Sequence, residues 1–212
     1  MESPNSGTSI QADGPTEAPP RADPAGRILL AARELFFAEG FAGVSTDRLA
    51  RVAGVSKSTL YNRFGDMAGV LRAVAEAEAD HVPLGGEQVP ATADAFAERL
   101  ADMGAALITL IEQPDKVRFD RLVLEQARAH PGLAQVYYDA IYARTQAQLA
   151  AFLREGQAHS VARSDLPATV LAEHLLSMWQ GLAGVRARLG LPNPDDRTAA
   201  ERSRQAVTAL LG

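Results

Sequence analysis

The chain has 212 residues, of which 47% are hydrophobic, and its 21 Lys and Arg against 26 Asp and Glu give a formal net charge of −5. This composition is typical of a globular protein of one or two domains, and it excludes collagen-like and wholly disordered chains. Cysteine is absent, which excludes disulfide scaffolds, iron–sulfur clusters, Cys-ligated zinc and thiol catalysis.

Membrane-spanning and secreted proteins are not indicated by the sequence. The longest apolar stretches, 104–111 and 175–185, are far shorter than the roughly 20 residues that span a bilayer. The N-terminus lacks the basic segment followed by an apolar run that marks a secretory signal. We therefore expect a cytoplasmic protein with no membrane partner.

Residues 1–25 have an unusual composition. They hold five of the 12 prolines, and Ile10 is their only aliphatic residue beyond Met1 and the alanines. Such a segment buries too little apolar surface to offset the entropy lost on ordering. The sequence therefore predicts a disordered tail over 1–25, with a regulatory arm as the alternative.

From residue 26 onward, apolar residues recur at helical spacing. Glycine, proline or a capping residue marks each break, and no segment alternates convincingly as a strand. Short helices are predicted up to about residue 81, and the two prolines and two glycines of 82–90 predict a boundary. The longer helices that follow are predicted over 92–112, 115–129, 131–159, 167–190 and 194–211. The predicted fold class is all-α.

Two short predicted helices, 46–53 and 57–64, are joined by a three-residue turn that begins with Gly54, the spacing of a helix-turn-helix. The second helix leaves mainly hydrogen-bond donors and no acidic residue on its exposed side. Residues 26–64 hold six basic and three acidic residues, the reverse of the whole chain. A DNA-facing surface is therefore predicted in spite of the acidic total.

The segment 26–71 closely resembles the DNA-binding domain of the tetracycline-repressor (TetR/AcrR) family. The matching positions keep their spacing and are Gly40, Phe41, Val44, Thr46, Leu49, Ala50, 53–56, Leu60, Tyr61 and Phe64. The resemblance implies double-stranded operator DNA as a partner. It also implies contacts to DNA phosphates or bases from Thr46, Lys57, Ser58, Thr59, Tyr61 and Asn62. Ser56 is either a DNA contact or only the N-cap of its helix.

Met67 departs from the family pattern, which often has a phosphate-binding lysine at this position. Together with the acidic total, this leaves a second class open, a helical dimeric scaffold with weak or lost DNA binding. An enzyme is not predicted, because the four histidines are scattered and no HExxH, Gly-x-Ser-x-Gly or phosphate-loop motif occurs. No metal site and no cofactor are expected.

The C-terminal half is similar to the ligand domain of the AefR-like subgroup of the same family. The similarity rests on residues 119–123, 125–131 and 149–153, and it implies a dimer interface and a pocket for a small effector. We therefore divide the chain into the tail, a DNA-binding domain over 26–81, and a ligand-binding and dimerisation domain over 82–212.

Helical periodicity indicates a candidate dimer interface. Stepping 100° per residue from Leu171 places a wide apolar stripe on the helix predicted over 167–190. Its members are Leu175, Met178, Trp179, Leu182, Val185 and Leu189. For each of them, packing within the core of one subunit is the alternative.

The helix predicted from Pro131 indicates a candidate pocket. One face carries Tyr138, Ile141, Tyr142, Leu149, Phe152 and Leu153, and buried tyrosines need partners for their hydroxyls. The candidate pocket residues are Phe119, Tyr138, Ile141, Tyr142 and His174, with plain core packing as the alternative. Few ionisable groups lie on that face, which favours a small apolar effector.

Together these patterns predict a homodimeric, ligand-responsive transcriptional regulator, most simply a repressor. Each subunit is expected to place the helix over 57–64 into successive major grooves of a near-palindromic operator. An effector bound between the C-terminal helices is expected to change the separation of the two recognition helices, and so to release the DNA.

Overall fold

The computed structural model describes residues 23–79, 84 and 88–211. Its helices are α1 (Pro24–Glu39), α2 (Thr46–Ala53), α3 (Lys57–Phe64), α4 (Met67–Ala79), α5 (Ala93–Ile111), α6 (Pro114–Ala127), α7 (Pro131–Tyr137), α8 (Arg144–Ala158), α9 (Ala168–Leu189) and α10 (Ala199–Leu211). A 3-10 turn follows α1, a π-helical segment joins α7 to α8, and the described residues contain no strand. The predicted all-α fold class is confirmed. Residues 1–22 of the predicted tail lie outside the described residues, whereas residues 24–25 belong to α1.

Side-chain caps fix where several helices begin. The cap oxygens accept backbone N–H groups three residues ahead: Ser45 from Arg48 (3.2 Å), Ser56 from Thr59 (3.1 Å), Asp66 from Gly69 (2.7 Å) and Thr92 from Ala95 (3.3 Å). At α10, Thr198 Oγ1 accepts from the N–H of Glu201 while the Glu201 carboxylate accepts from the N–H of Thr198, a reciprocal capping box. The last helix was predicted from residue 194, and this capping box explains why it begins at Ala199 instead.

A first hydrophobic core joins the N-terminal helices to the middle of the chain. Ile28, Leu49, Leu60 and Leu71, from α1 to α4, are completely buried in it. The same cluster contains side chains of α6 and α7, namely Phe119, Leu122, Val123, Leu133 and Tyr137. The core therefore crosses the domain boundary predicted between residues 81 and 82.

A second core lies among α5, α8, α9 and α10. The rings of Phe96 and Phe152 stack in it with their centroids 4.9 Å apart, and the indole of Trp179 is 2% exposed. On α10, Ser203 is fully buried and donates to the carbonyl of Ala101 at 2.7 Å. This hydrogen bond fixes the last helix against α5.

The π-helical segment Tyr138–Ala143 interrupts the single helix that was predicted over 131–159. A π turn holds an extra residue, which shifts the register of every side chain after it. Ile141 and Tyr142 consequently pack on the first core, whereas Leu149, Phe152 and Leu153 lie in the second. Tyr138 itself is 53% exposed, so the prediction that it shares one buried face with these residues was wrong.

Helix α9 is broken at Gly181, where φ is +46° and ψ is −165°. This backbone conformation is essentially restricted to glycine, because a Cβ would clash with the chain. A single glycine is otherwise tolerated inside a helix, and the sequence predicted a continuous helix over 167–190. The break allows the segment after Gly181 to take its own direction.

Candidate functional site

The turn between α2 and α3 fixes the relative orientation of these two helices. Gly54 has left-handed dihedral angles (φ +64°, ψ +39°), and the N–H of Val55 donates to the carbonyl of Ala50 at 3.0 Å. This is a Schellman motif, which closes α2 and directs the chain into α3. Leu49 and Leu60 are completely buried, so each helix has one face anchored in the first core. The remaining face of α3 points away from the protein.

The exposed face of α3 carries most of the predicted DNA contacts. Lys57, Ser58, Tyr61 and Asn62 are exposed, and the side chain of Tyr61 is 49% accessible. Thr46 and Thr59 are only partly exposed. Every side chain on this face can donate a hydrogen bond, as contacts with phosphates and base edges require.

Ser56 is engaged within the protein. Its Oγ accepts the N–H of Thr59 and lies 2.7 Å from Oγ of Ser58 and 2.8 Å from Oγ1 of Thr59. The hydrogen bond from the N–H of Thr59 is the one that an N-cap residue makes, so Ser56 caps α3. The resulting group of hydroxyls lies at the N-terminal end of α3.

The side chains at the start of α4, Asp66 and Met67, include no cation that could bind a DNA phosphate. Met67 is partly buried and packs on the first core. Asp66 accepts the N–H of Gly69, so its charge faces the positive end of the α4 dipole. Met67 acts as an apolar side chain that fastens α4.

An inner cavity of about 70 Å³ lies where α4, α6, α9 and the π segment meet. Its walls include the predicted pocket residues Phe119, Ile141 and Tyr142. This volume holds a few water molecules, and a larger ligand requires the walls to separate.

An outer cavity of about 430 Å³ opens beside the inner one, and the two share Asp120, Tyr137, Tyr142, Gln180 and Arg188 in their walls. Tyr138 lines only the outer cavity and is 53% exposed. His174 is exposed on α9 and lines neither cavity. Its assignment to the pocket was wrong, because the register of α9 turns it toward solvent.

Sequence reasoning missed an ion triad that links the inner cavity to α1. Glu78, at the end of α4, is 5% exposed, and its carboxylate accepts hydrogen bonds from Lys116 of α6 and from Nε of Arg33 in α1 at 2.6 Å. Burial by itself raises the pKa of Glu78, but the hydrogen bonds from Lys116 and Arg33 outweigh it, and its pKa lies below the usual value. Glu78 is therefore held ionised.

Asp120 has a different environment at the wall between the cavities. It accepts a hydrogen bond from the hydroxyl of Tyr137, and its Oδ2 lies 3.9 Å from Nη1 of Arg188. Burial raises the pKa of Asp120, and these two partners offset that effect only in part. Sequence reasoning selected Tyr138 over Tyr137 because the π turn leaves no pattern in the apolar spacing.

The apolar stripe predicted on α9 divides into two sets. Leu175 and Trp179 are buried in the second core at 0% and 2% exposure, so their assignment to the dimer interface was wrong. Their spacing of four residues places them on the inner face of α9. The other members, Met178, Leu182, Val185 and Leu189, are 42–79% exposed, with Leu182 the most exposed.

Two negative findings apply to the described part of the chain. None of its helices combines the length and the apolar character that crossing a membrane requires. Across residues 23–79, 84 and 88–211, no three His, Asp or Glu side chains are grouped closely enough to hold a metal ion.

Comparison with known proteins agrees with this arrangement. Residues 28–74 match the family described as bacterial regulatory proteins, tetR family, and residues 98–212 match the C-terminal domain of AefR-like transcriptional repressors. The regulator SrpR of Pseudomonas putida is 26% identical over 187 residues, which cover 88% of this chain and 81% of SrpR. The transcriptional activator FasR of Mycolicibacterium smegmatis is 32% identical over 93 residues, which cover 44% of this chain and 42% of FasR.

Solved structures show the same architecture. The flavonoid-responsive regulator FrrA superimposes with a TM-score of 0.72 at 26% identity, and the match covers 88% of this chain and 94% of FrrA. The second family match spans more than half of the chain, and it confirms the resemblance stated above. The chain therefore belongs to the TetR family of bacterial regulatory proteins, as a DNA-binding transcriptional regulator and not an enzyme.

Proposed function

We propose that this regulator is a homodimeric repressor that binds a near-palindromic operator and releases it when a small, largely apolar effector binds. The observation that carries the proposal is the outward face of α3, where Lys57, Ser58, Tyr61 and Asn62 are exposed beside a capped turn. An α-helix of this kind fits the major groove, where side-chain donors reach base edges and phosphates. We expect it to act in the cytoplasm, where the DNA is.

Dimerisation is supported by the exposed apolar side chains on the second half of α9. Leu182, Val185 and Leu189 project from one short segment, and Leu182 is 79% exposed. A patch of large apolar side chains on a regulator's surface favours association with a second copy. A two-fold dimer places its recognition helices about 34–36 Å apart, one turn of DNA, and so favours an operator with two-fold symmetry.

The effector site that we propose is the pair of cavities around Asp120. Their carboxylates are matched by nearby cations, since Glu78 faces Lys116 and Asp120 faces Arg188, and this balance favours a neutral ligand. Asp120 and Arg188 are 3.9 Å apart, too far for a direct hydrogen bond. A ligand hydroxyl placed between them can donate to one and accept from the other.

The aromatic walls favour a flat ligand. The rings of Tyr138 and Tyr142 are nearly parallel, with centroids 6.1 Å apart, and aromatic ligands pack well against such surfaces. The name of the structural relative FrrA describes it as flavonoid-responsive. We take this as support for a hydroxylated aromatic effector of the present chain.

Release of DNA follows from the ion triad. Glu78 lies in the cavity wall and also fastens α4 to α1 and α6. A ligand that separates the cavity walls displaces α4, which carries the DNA-binding helices. The ligand acts only if it binds the DNA-free form more tightly, by about 1.4 kcal/mol for each tenfold loss of operator affinity.

The test begins with selection of DNA from a random duplex pool by the purified full-length chain. We expect an enriched inverted repeat, bound by two protomers, and repression of a reporter placed behind it. A site without two-fold symmetry, or one protomer per site, contradicts the dimer. Activation of the reporter, which is the action named for FasR, contradicts repression.

The effector is tested next with flavone and a hydroxylated flavone. We expect the hydroxylated compound to raise the melting temperature more strongly and to release the selected operator. A ligand that stabilises the protein without releasing the operator contradicts the switch and leaves the DNA-binding function standing.

A further inference from the structure

Exposed cations of the DNA-binding helices lie against carboxylates of the same chain. Nζ of Lys57, the first residue of α3, is 2.5 Å from Oδ1 of Asp47 in the first turn of α2. The other two pairs are Arg48 with Glu39, where Nε donates at 3.1 Å, and Arg63 with Asp23 at 3.4 Å. Sequence reasoning counted these charges, except that of Asp23, but gave no information on how they pair.

These pairs contribute little to folding. The side chains of Lys57 and Asp47 are 53% and 65% exposed, and ion pairs at that exposure stabilise a fold only slightly. Asp47 also lies near the positive end of the α2 dipole, where its charge is accommodated whether or not Lys57 is near. The main consequence of the pair therefore concerns what Lys57 can bind.

A paired cation binds DNA with different thermodynamics from a free one. When a free Lys contacts a phosphate, the DNA releases about 0.9 of a counterion, and the logarithm of the affinity falls accordingly with the logarithm of salt concentration. When Lys57 must first leave Asp47, the freed carboxylate attracts a cation from solution. The net release of ions is then smaller, and binding is weaker.

We propose that Asp47 competes with DNA for Lys57, and thereby lowers both the affinity of the regulator for DNA of any sequence and the dependence of that affinity on salt. This inference rests on the proposed contact between Lys57 and DNA. Asp47 acts as an internal substitute for a phosphate. Arg48 and Arg63 are also exposed and pair with Glu39 and Asp23, but the proposal concerns Lys57 alone.

The experiment compares Asp47→Asn with the wild-type chain on a duplex of arbitrary sequence, by fluorescence anisotropy between about 50 and 200 mM salt. We expect Asp47→Asn to bind about two- to fivefold more tightly, the range typical of one exposed ion pair. We also expect a steeper salt dependence, by up to about 0.9 per protomer. The matched control is Glu125→Gln, which removes the same charge from an exposed residue of α6 and should change neither quantity.

A second comparison tests whether Asp47 acts through Lys57. In a Lys57→Ala background, Asp47→Asn should no longer steepen the salt dependence, because no cation remains to be freed. If the steepening persists there, Asp47 acts by another route and the proposal fails. Thermal melting of each variant checks that the fold is retained, as expected for exposed side chains.

The remaining outcomes are also decisive. If the wild type binds DNA and Asp47→Asn binds it equally or less tightly, the proposed competition is overturned. Asp47 is then neutral or helps to position Lys57. Equal tightening by Glu125→Gln overturns it as well, because the effect is then one of total charge. If neither the wild type nor any variant binds DNA, the proposed function itself fails, and the inference fails with it.

Discussion

The indole of Trp179 on α9 lies directly against the backbone of Gly104 on α5, so that a Cβ on residue 104 would overlap with the indole ring and with Oγ of Ser203. Helices α5, α9 and α10 meet at this point. The absence of a side chain at Gly104 is what lets them approach so closely.

Replacing Gly104 with alanine should therefore lower the free energy of unfolding by about 1–3 kcal/mol, as is typical of an overpacked core. Urea denaturation measures it. The matched control is Gly26→Ala in α1, where a Cβ meets nothing within 4 Å. That variant should be as stable as the wild type or more stable by up to about 1 kcal/mol. Equal stability of Gly104→Ala and the wild type contradicts the packing described for Trp179.

Tyr61→Phe and Lys57→Ala should each weaken binding to the selected operator while leaving helicity unchanged. Loss of one hydrogen bond to a charged phosphate costs about 1.5–3 kcal/mol, which anisotropy titration detects easily. Arg154→Ala removes a cation from an exposed site on α8 and serves as the control. If Tyr61→Phe and Lys57→Ala both bind as tightly as the wild type, α3 is not the helix that reads DNA.

The pairing of Lys57 with Asp47 changes the expected salt effect of Lys57→Ala. A free Lys that neutralises one phosphate would give a change in slope of about 0.9 per protomer. Because Lys57 is already paired, we expect a smaller change, measured on the same operator over the same salt range.

Charged substitutions at Leu182 and Val185 should produce monomers that no longer bind the operator, although α3 is intact. Both side chains are exposed in one subunit, at 79% and 42%, so the substitution leaves the subunit core unaltered. Sedimentation velocity at micromolar concentration gives the assembly state. Leu30→Glu, at a residue of α1 that is 61% exposed, should leave the dimer intact. A wild-type chain that sediments as a monomer contradicts the proposed interface.

Asp120→Asn should raise stability at neutral pH, and the gain should shrink as the pH falls. Burial raises the pKa of Asp120 above its ordinary 3.8, so the folded chain binds this proton more readily than the unfolded chain does. The folded chain therefore loses stability as the pH rises from the ordinary value through the raised pKa of Asp120. Asparagine does not ionise and escapes this loss. Urea unfolding of both proteins, from mildly alkaline pH down to about pH 5, checks the trend.

Glu78→Gln should change stability at neutral pH in the opposite direction from Asp120→Asn. The pKa of Glu78 lies below its ordinary 4.5, so its contribution to stability is present above that pH and is lost as the pH falls through the lowered value. The substitution should destabilise the chain at neutral pH by about 1–3 kcal/mol, because Lys116 and Arg33 lose their carboxylate. A stabilising effect of Glu78→Gln contradicts the role assigned to the triad.

The local signals in the sequence predicted the helices well. Ser56, Thr92 and Gly54 act on their immediate neighbours, by capping a helix or closing a turn, so their effects depend on few residues. The same holds for the helix-turn-helix, whose two helices were predicted over 46–53 and 57–64 and have these bounds in the structure. Short-range chemistry was sufficient for these elements.

Features that depend on distant packing were not predictable in the same way. The π turn at Tyr138–Ala143 shifts the register between the residues before it and those after it by one position. As a result Tyr137, and not Tyr138, lies on the buried side. The sequence around Gly181 predicts an uninterrupted helix, yet the dihedral angles of Gly181 break α9. Lys57 and Asp47 are ten residues apart on different helices, and only the crossing of α2 and α3 brings them together.

The shared first core limits how this regulator can be recombined with its relatives. Side chains of α6 and α7, such as Phe119 and Leu133, complete the interior on which α1 and α4 pack. A chimera joined at residues 82–90 would combine the DNA-reading helices of one protein with the α6 and α7 of another, and any mismatch in volume would leave cavities or clashes in that interior. Exchange of operator specificity is therefore better attempted by grafting the outward residues of α3 alone than by exchanging the whole N-terminal unit.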